Sequence, residues 1–195
     1  PAWQVGGDFY DVYDRGDSRV ALVLGDVSGK GLAASVVVGL LLGAIRTSDW
    51  LDGGPQHEGA SQALSELLRT RTSAERFASL FWSYYSPETR TLHYVNAGHL
   101  PPMVVAANGS GDAEILRLEE GGPVLGVVPA AIYRQGTVVV SEGAVLVLYS
   151  DGVVEATNSL DEQFGEDRLR AVIHANANRS PEEIRDEILS QVHAF

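Results

Sequence analysis

Cysteine is absent from all 195 residues. That excludes disulfides, thiolate nucleophiles and cysteine-based zinc sites, and it favours a reducing, cytoplasmic setting. Basic residues are scarce: 14 Lys and Arg stand against 26 Asp and Glu, a net charge of −12. So acidic a chain is a poor match for nucleic acid or an anionic membrane, whose phosphates call for cations, and it suits cation binding. No apolar run reaches the ~20 residues of a spanning helix. The longest, Leu32 to Ile45, reads as a helix buried on most sides. No secretory signal is visible. Methionine does not open the chain, so Pro1 reads as the start of a domain taken from a longer protein. The length suits one domain, residues 1–195, with a sizeable core.

The chain is organised around Ala21 to Ser35, ALVLGDVSGKGLAAS. Ala21 to Leu24 has the length and branching of a buried strand, and Gly25-Asp26 is expected to stop it. Gly29 and Gly31 allow a tight turn, and a helix follows from Leu32 to about Ser48. Before it, Trp3–Tyr13 and Arg19–Leu24 read as a hairpin bent at Gly6-Gly7, which brings Asp8 and Asp11 towards Asp26. After the helix, Asp52–Pro55 is a loop and Gly59–Arg71 an amphipathic helix. Strands are expected at Phe77–Tyr85, Thr91–Val95, Met103–Ala107, Glu114–Leu118, Ile132–Val140 and Ala144–Tyr149. A loop tip falls at Gly109–Asp112. The last of those strands is expected to end at Ser150-Asp151-Gly152. Helices return at Asp167–Ala177 and after Ser180, where Ser180, Pro181 and Glu183 form a capping box. Early helices, middle hairpins and late helices predict an α+β fold of two antiparallel sheets flanked by helices.

Three acidic sites share one design: Gly7-Asp8, Gly25-Asp26 and Asp151-Gly152 each set an Asp beside a Gly at a strand or its end. Each alone is an ordinary turn. Together they offer oxygen ligands, which suit hard cations such as Mg²⁺ or Mn²⁺. Such ions can hold a phosphoryl group and lower the pKa of a water that attacks phosphorus, so no Cys or Ser nucleophile is needed. His57, His93, His174 and His193 have no mutual spacing that suggests a metal site.

Four ordered motifs then become specific: Gly6-Gly7-Asp8-Phe9-Tyr10-Asp11, Gly25-Asp26-Val27-Ser28-Gly29-Lys30-Gly31, Asn96-Ala97-Gly98-His99-Leu100-Pro101 and Ser150-Asp151-Gly152-Val153-Val154-Glu155. In them the chain resembles the PP2C-like serine/threonine phosphatases of the bacterial stress-response and sporulation type (the PPM superfamily). The resemblance implies an α-β-β-α sandwich. It implies that Asp26 bridges two Mn²⁺ or Mg²⁺ ions, that the Val27 carbonyl binds one and Asp151 the other, and that Asp8 holds the cluster directly or through water. Asp11 matches the motif too, with strand stabilisation as its alternative role. For Asn96 and His99 the readings are a turn, or a wall and proton donor near the substrate. The implied substrate is a phosphoserine or phosphothreonine on a regulatory protein, a phosphorylated anti-anti-sigma factor of the STAS type, with a sensor domain N-terminal in the parent chain.

One departure matters. The family ordinarily closes with a strand opened by two adjacent Asp residues, and this sequence contains no Asp-Asp pair. The expectation is therefore a fold without that strand, a weakened metal site holding one ion or none, and an unpaired strand edge that favours a homodimer. A catalytically inactive, partner-binding phosphatase-like domain is the alternative. A nucleotide-binding P-loop is disfavoured, because Gly25 to Gly29 is one residue short and Gly31 replaces the Mg²⁺-binding hydroxyl. Gly6-Gly7-Asp8-Phe9 lacks the further acidic residue of cyclic-dinucleotide synthases.

Overall fold

In chain order the elements are β1 (Asp8–Asp14), β2 (Val20–Val27), α1 (Leu32–Leu51), α2 (His57–Arg71), β3 (Ala78–Ser86), β4 (Thr91–Ala97), β5 (Met103–Ala107), β6 (Ala113–Arg117), β7 (Gly121–Gly122), β8 (Gly136–Val139), β9 (Val145–Val147), α3 (Asp151–Val154), α4 (Gly165–Ala175) and α5 (Pro181–Ala194). This computed structural model describes residues 6–15, 18–51, 57–73, 75–107 and 113–195. The start of the first expected strand, the loop at 52–55 and the loop tip at 109–112 lie outside the described residues. The fold is mixed α+β, and the chain divides into two compact units, residues 1–99 with 119–139 and residues 100–118 with 140–195.

The first unit is built on a sheet of order β1-β2-β3-β4-β7, with β8 also paired to β4. Its ladders are antiparallel except for β4–β7, a two-residue parallel pairing of Asn96 with Gly121 and Ala97 with Gly122. Period-two alternation decides its faces. Phe9, Val23, Val27, Leu80, Trp82 and Val95 turn to one side and form a core with Ala34, Val37, Leu41 and Ile45 of α1 and Leu64 and Leu68 of α2. Both early helices thus cover one face, as their apolar stripes require. On the same face Asp11 receives two bonds from Arg46 of α1, Nε to Oδ2 and Nη2 to Oδ1, each 2.8 Å. The strand-stabilising role of Asp11 is the one this pairing supports.

Two expectations for this sheet need correction. Gly25-Asp26 does not end β2, which runs on to Val27 because β1 and β3 pair with it on both sides there. Gly25 serves close approach instead: a Cβ would lie 2.6 Å from the Phe9 ring and 2.7 Å from the Ser79 carbonyl oxygen. The strand expected from Ile132 to Val140 forms only over Gly136–Val139.

His93 of β4 carries a pH-dependent contribution. Its ring stacks on Tyr84 at 4.8 Å, and Nδ1 accepts from Gln135 Nε2 at 3.3 Å and lies 3.0 Å from Thr137 Oγ1. Burial first, then the Arg19 guanidinium, holds its pKa below the ordinary 6.5. The unfolded chain therefore takes up this proton first as pH falls. The stabilisation is complete above about pH 6.5 and is lost as pH drops through the folded value. In urea titrations between pH 7 and 5, His93→Gln is expected to flatten the acid limb of stability. An unchanged limb would assign that limb to other groups.

The second unit has a three-stranded antiparallel sheet, β6-β5-β9. Met103, Val105 and Tyr149 pack with Phe164, Leu169 and Ile173 around α4 and with Ile184 and Ile188 of α5. Arg117 pairs with Glu166 at 3.2 Å. The capping box at α5 forms as expected: Glu183 N–H donates to Ser180 Oγ at 3.3 Å, and Ser180 N–H donates to Glu183 Oε2 at 3.0 Å. β9 stops at Val147, so Ser150-Asp151-Gly152 is not a strand end. Ser150 instead sits at the N-cap of the one-turn helix α3, with Asp151 as its first residue. The Glu155 N–H closes that turn on the Asp151 carbonyl at 2.7 Å.

Candidate active site

The site residues of the first unit follow from register. Asp8 is the direct cross-strand partner of Asp26, and Asp26 is the direct partner of Ser79. Val27, Phe9 and Leu80 face the helices, so alternation turns Asp8, Asp26 and Ser79 to the opposite face. Directly opposed side chains have Cβ atoms about 5 Å apart, and like charges so placed repel. Two carboxylates are thus set side by side on a face that α1 and α2 leave uncovered.

Gly7 completes this corner. Its carbonyl accepts from Val27 N–H at 3.1 Å. A Cβ on Gly7 would strike the Val27 carbonyl oxygen and lie 2.5 Å from Asp26 Oδ1. The Gly7 backbone therefore lies close against both oxygens, an approach that a Cβ at this position would block. Adjacent carboxylates and a backbone carbonyl are the donor set that a hard divalent cation takes, so these residues fit Mg²⁺ or Mn²⁺. Among the described residues, no group of three or more His, Asp or Glu side chains could hold a metal ion by themselves.

Asn96 and His99 are joined to this row by a turn. Asn96 Oδ1 accepts from His99 N–H at 2.8 Å, and Gly98 between them has φ +68°. A Cβ at Gly98 would fall 2.5 Å from Val124 Cγ1. The turn brings His99 Nδ1 within 2.8 Å of Ser79 Oγ. Asn96 is 4 % exposed and His99 7 %, so both are buried. No motif marks Ser79 in the sequence. Its one signal was parity: counted across an antiparallel β2–β3 register, it falls on the same face as Asp26. Asp151 belongs to the second unit, exposed at the start of α3.

Comparison with known proteins places the fold first. The chain superposes on the SiaA-PP2C domain of Pseudomonas aeruginosa with a TM-score of 0.82 at 18 % identity, over 98 % of this chain and 74 % of that one. It superposes on RsbX in complex with magnesium with a TM-score of 0.63 at 17 % identity, over 98 % of this chain and 80 % of that one. The fold is that of PP2C-type phosphatase domains. Residues 16–195 match the family Stage II sporulation protein E (SpoIIE), and the chain belongs to that family of PP2C-like phosphatases. Among its relatives is the phosphoserine phosphatase RsbU of Bacillus subtilis (strain 168), 27 % identical over 80 % of this chain and 44 % of that protein. The chain spans only 32–44 % of the length of the curated relatives it matches.

Proposed function

We propose that the chain, residues 1–195, is a metal-dependent protein serine/threonine phosphatase domain. It removes phosphate from phosphoserine or phosphothreonine on a regulatory protein, a phosphorylated anti-anti-sigma factor of the STAS type. The observation that carries this is the Asp8–Asp26 pair: two carboxylates on neighbouring strands, beside the Val27 carbonyl, at a cost in repulsion that a bound cation removes. Family membership and the phosphoserine phosphatase among the relatives supply the reaction class.

In this reading the carboxylates of Asp8 and Asp26 and the carbonyl of Val27 would hold the ions, and the family resemblance alone assigns Asp151 as a further ligand. Bound Mn²⁺ or Mg²⁺ supplies a water acidified enough to attack phosphorus, with no covalent enzyme intermediate. Ser79, held by His99, lines the face beside Asp26 and orients what lies there. The chain's negative charge repels a phosphorylated substrate until cations offset it, which ties turnover to metal. A sensor domain in a longer parent chain would govern this activity.

The test is hydrolysis of p-nitrophenyl phosphate and of a phosphoserine peptide with and without Mn²⁺. Turnover is expected with Mn²⁺, and chelation is expected to abolish it. Asp151→Asn should lower it at least ~100-fold, as loss of a direct ligand exceeds the ~10–100-fold typical of outer-shell losses. Binding of the phosphoprotein without hydrolysis at any metal concentration would replace this reading with a partner-binding domain.

A further inference from the structure

Ser28 has every polar group tied to one short segment 47 to 49 residues away. Its N–H donates to the Phe77 carbonyl at 2.9 Å. Its Oγ donates to the Glu75 carbonyl at 3.1 Å and accepts from Phe77 N–H at 3.0 Å. Its carbonyl accepts from Arg76 Nη1. The Arg76 guanidinium then lies against Gly29, whose φ of +90° disfavours a residue with a Cβ. A turn residue on the surface ordinarily spends its hydrogen bonds on its own neighbours or on water. Here the turn is clamped to the entry of β3.

We infer that Ser28 and Arg76 are positioning residues that aim the Val27 carbonyl at the metal site. The inference rests on the phosphatase reading above. The link is peptide geometry: the Val27 carbonyl and the Ser28 N–H share one planar trans unit and point in opposite directions. Anchoring the Ser28 N–H on Phe77 of the β3 side turns the Val27 carbonyl towards the β1 side. That is where Gly7 makes room for it and where Asp26 Oδ1 lies. The Ser28 hydroxyl and the Arg76 bond to the next carbonyl lock the peptides on either side of Ser28. Without them the turn, which carries Gly29 and Gly31 at positive φ, can rotate the carbonyl away.

Positioning and simple charge predict opposite signs. A cation near a metal site repels the metal, so if Arg76 acted by charge alone, removing it would tighten Mn²⁺ binding. If it holds the turn, removing it weakens binding. The experiment is calorimetric titration of the chain with Mn²⁺ for wild type, Ser28→Ala, Ser28→Thr, Arg76→Gln and Asp26→Asn, with thermal melts of each in chelator. Ser28→Ala and Arg76→Gln are expected to bind Mn²⁺ about tenfold more weakly, in line with outer-shell partners of metal ligands. Ser28→Thr, which keeps the hydroxyl, is expected to restore affinity. The metal-free melts should shift far less than the affinities, and if Ser28→Ala does not fold, Arg76→Gln and Ser28→Thr carry the comparison. Unchanged or tighter binding in Arg76→Gln, with binding lost in Asp26→Asn, would overturn the inference and leave the phosphatase reading standing. Unchanged binding in Asp26→Asn would overturn both.

Discussion

Replacing Asp26 with Asn is expected to abolish Mn²⁺-dependent hydrolysis and to leave the metal-free protein as stable as wild type or more so. Asp26 faces Asp8 across one antiparallel register and Ser79 across the next, and adjoins the Val27 carbonyl. Asn keeps the side chain's size and loses the charge that balances a divalent ion. A cross-strand like-charge pair costs roughly 0.2–1 kcal/mol, and Asn removes that cost. Activity should therefore fall by orders of magnitude while the melting temperature in chelator holds or rises. Full activity in this variant would remove Asp26 from the metal site. Lost activity with a large fall in stability would make Asp26 a structural residue instead.

A second large effect is expected at Gly7, with Gly6 as its control. An alanine at Gly7 would drive a methyl group into the Val27 carbonyl and to within 2.5 Å of Asp26 Oδ1. The Val27 carbonyl cannot yield cheaply: Val27 is in a strand paired on both sides, and its N–H is bonded to Gly7 itself. The start of β1 must shift, carrying Asp8 with it. Overpacking of this kind costs about 1–3 kcal/mol, and at this chain length each 1 kcal/mol is worth roughly 2–4 °C. Gly7→Ala should melt several degrees lower and lose Mn²⁺ binding. Gly6→Ala, whose added methyl would meet, among the described residues, only Asp8 N at 3.8 Å, should do neither. Equal behaviour of the two variants would show that the backbone at Gly7 has room to move.

Much of the fold could be read locally. Leu32 to Ile45 announced α1 by its apolar continuity, and Ser180-Pro181-Glu183 announced α5 by capping chemistry that acts within one turn. Met103–Ala107 was bounded by Pro-Pro before it and by Gly and polar residues after it, and β5 has those bounds. Asp8, Asp26 and Asp151 stood out because each adjoins a glycine in an otherwise apolar surrounding. These signals depend on neighbours in the chain, and the sequence contains them whole.

What failed depended on neighbours across the sheet. Gly25 looked like a strand terminator, because glycine beside aspartate ends strands when nothing holds them. Pairing with β1 and β3 on both sides carries β2 through to Val27, and the missing Cβ makes room for the Phe9 ring. Gly121-Gly122 has no strand-like side chain at all and pairs only because Asn96 and Ala97 present an edge. Ser79 and Ser28 are ordinary serines in one dimension. Ser79 gains its place from a register set by whole strands, and Ser28 from four hydrogen bonds to residues 47–49 positions away. The sequence by itself determined which residues carry the charge, the oxygen ligands and the freedom to turn, because those are properties of side chains and their immediate neighbours. Only the tertiary structure decided that Asp8, Asp26 and Ser79 stand in one row and that the Val27 carbonyl is held beside them, because pairing register and chain closure are set by burial of the whole sheet against its helices.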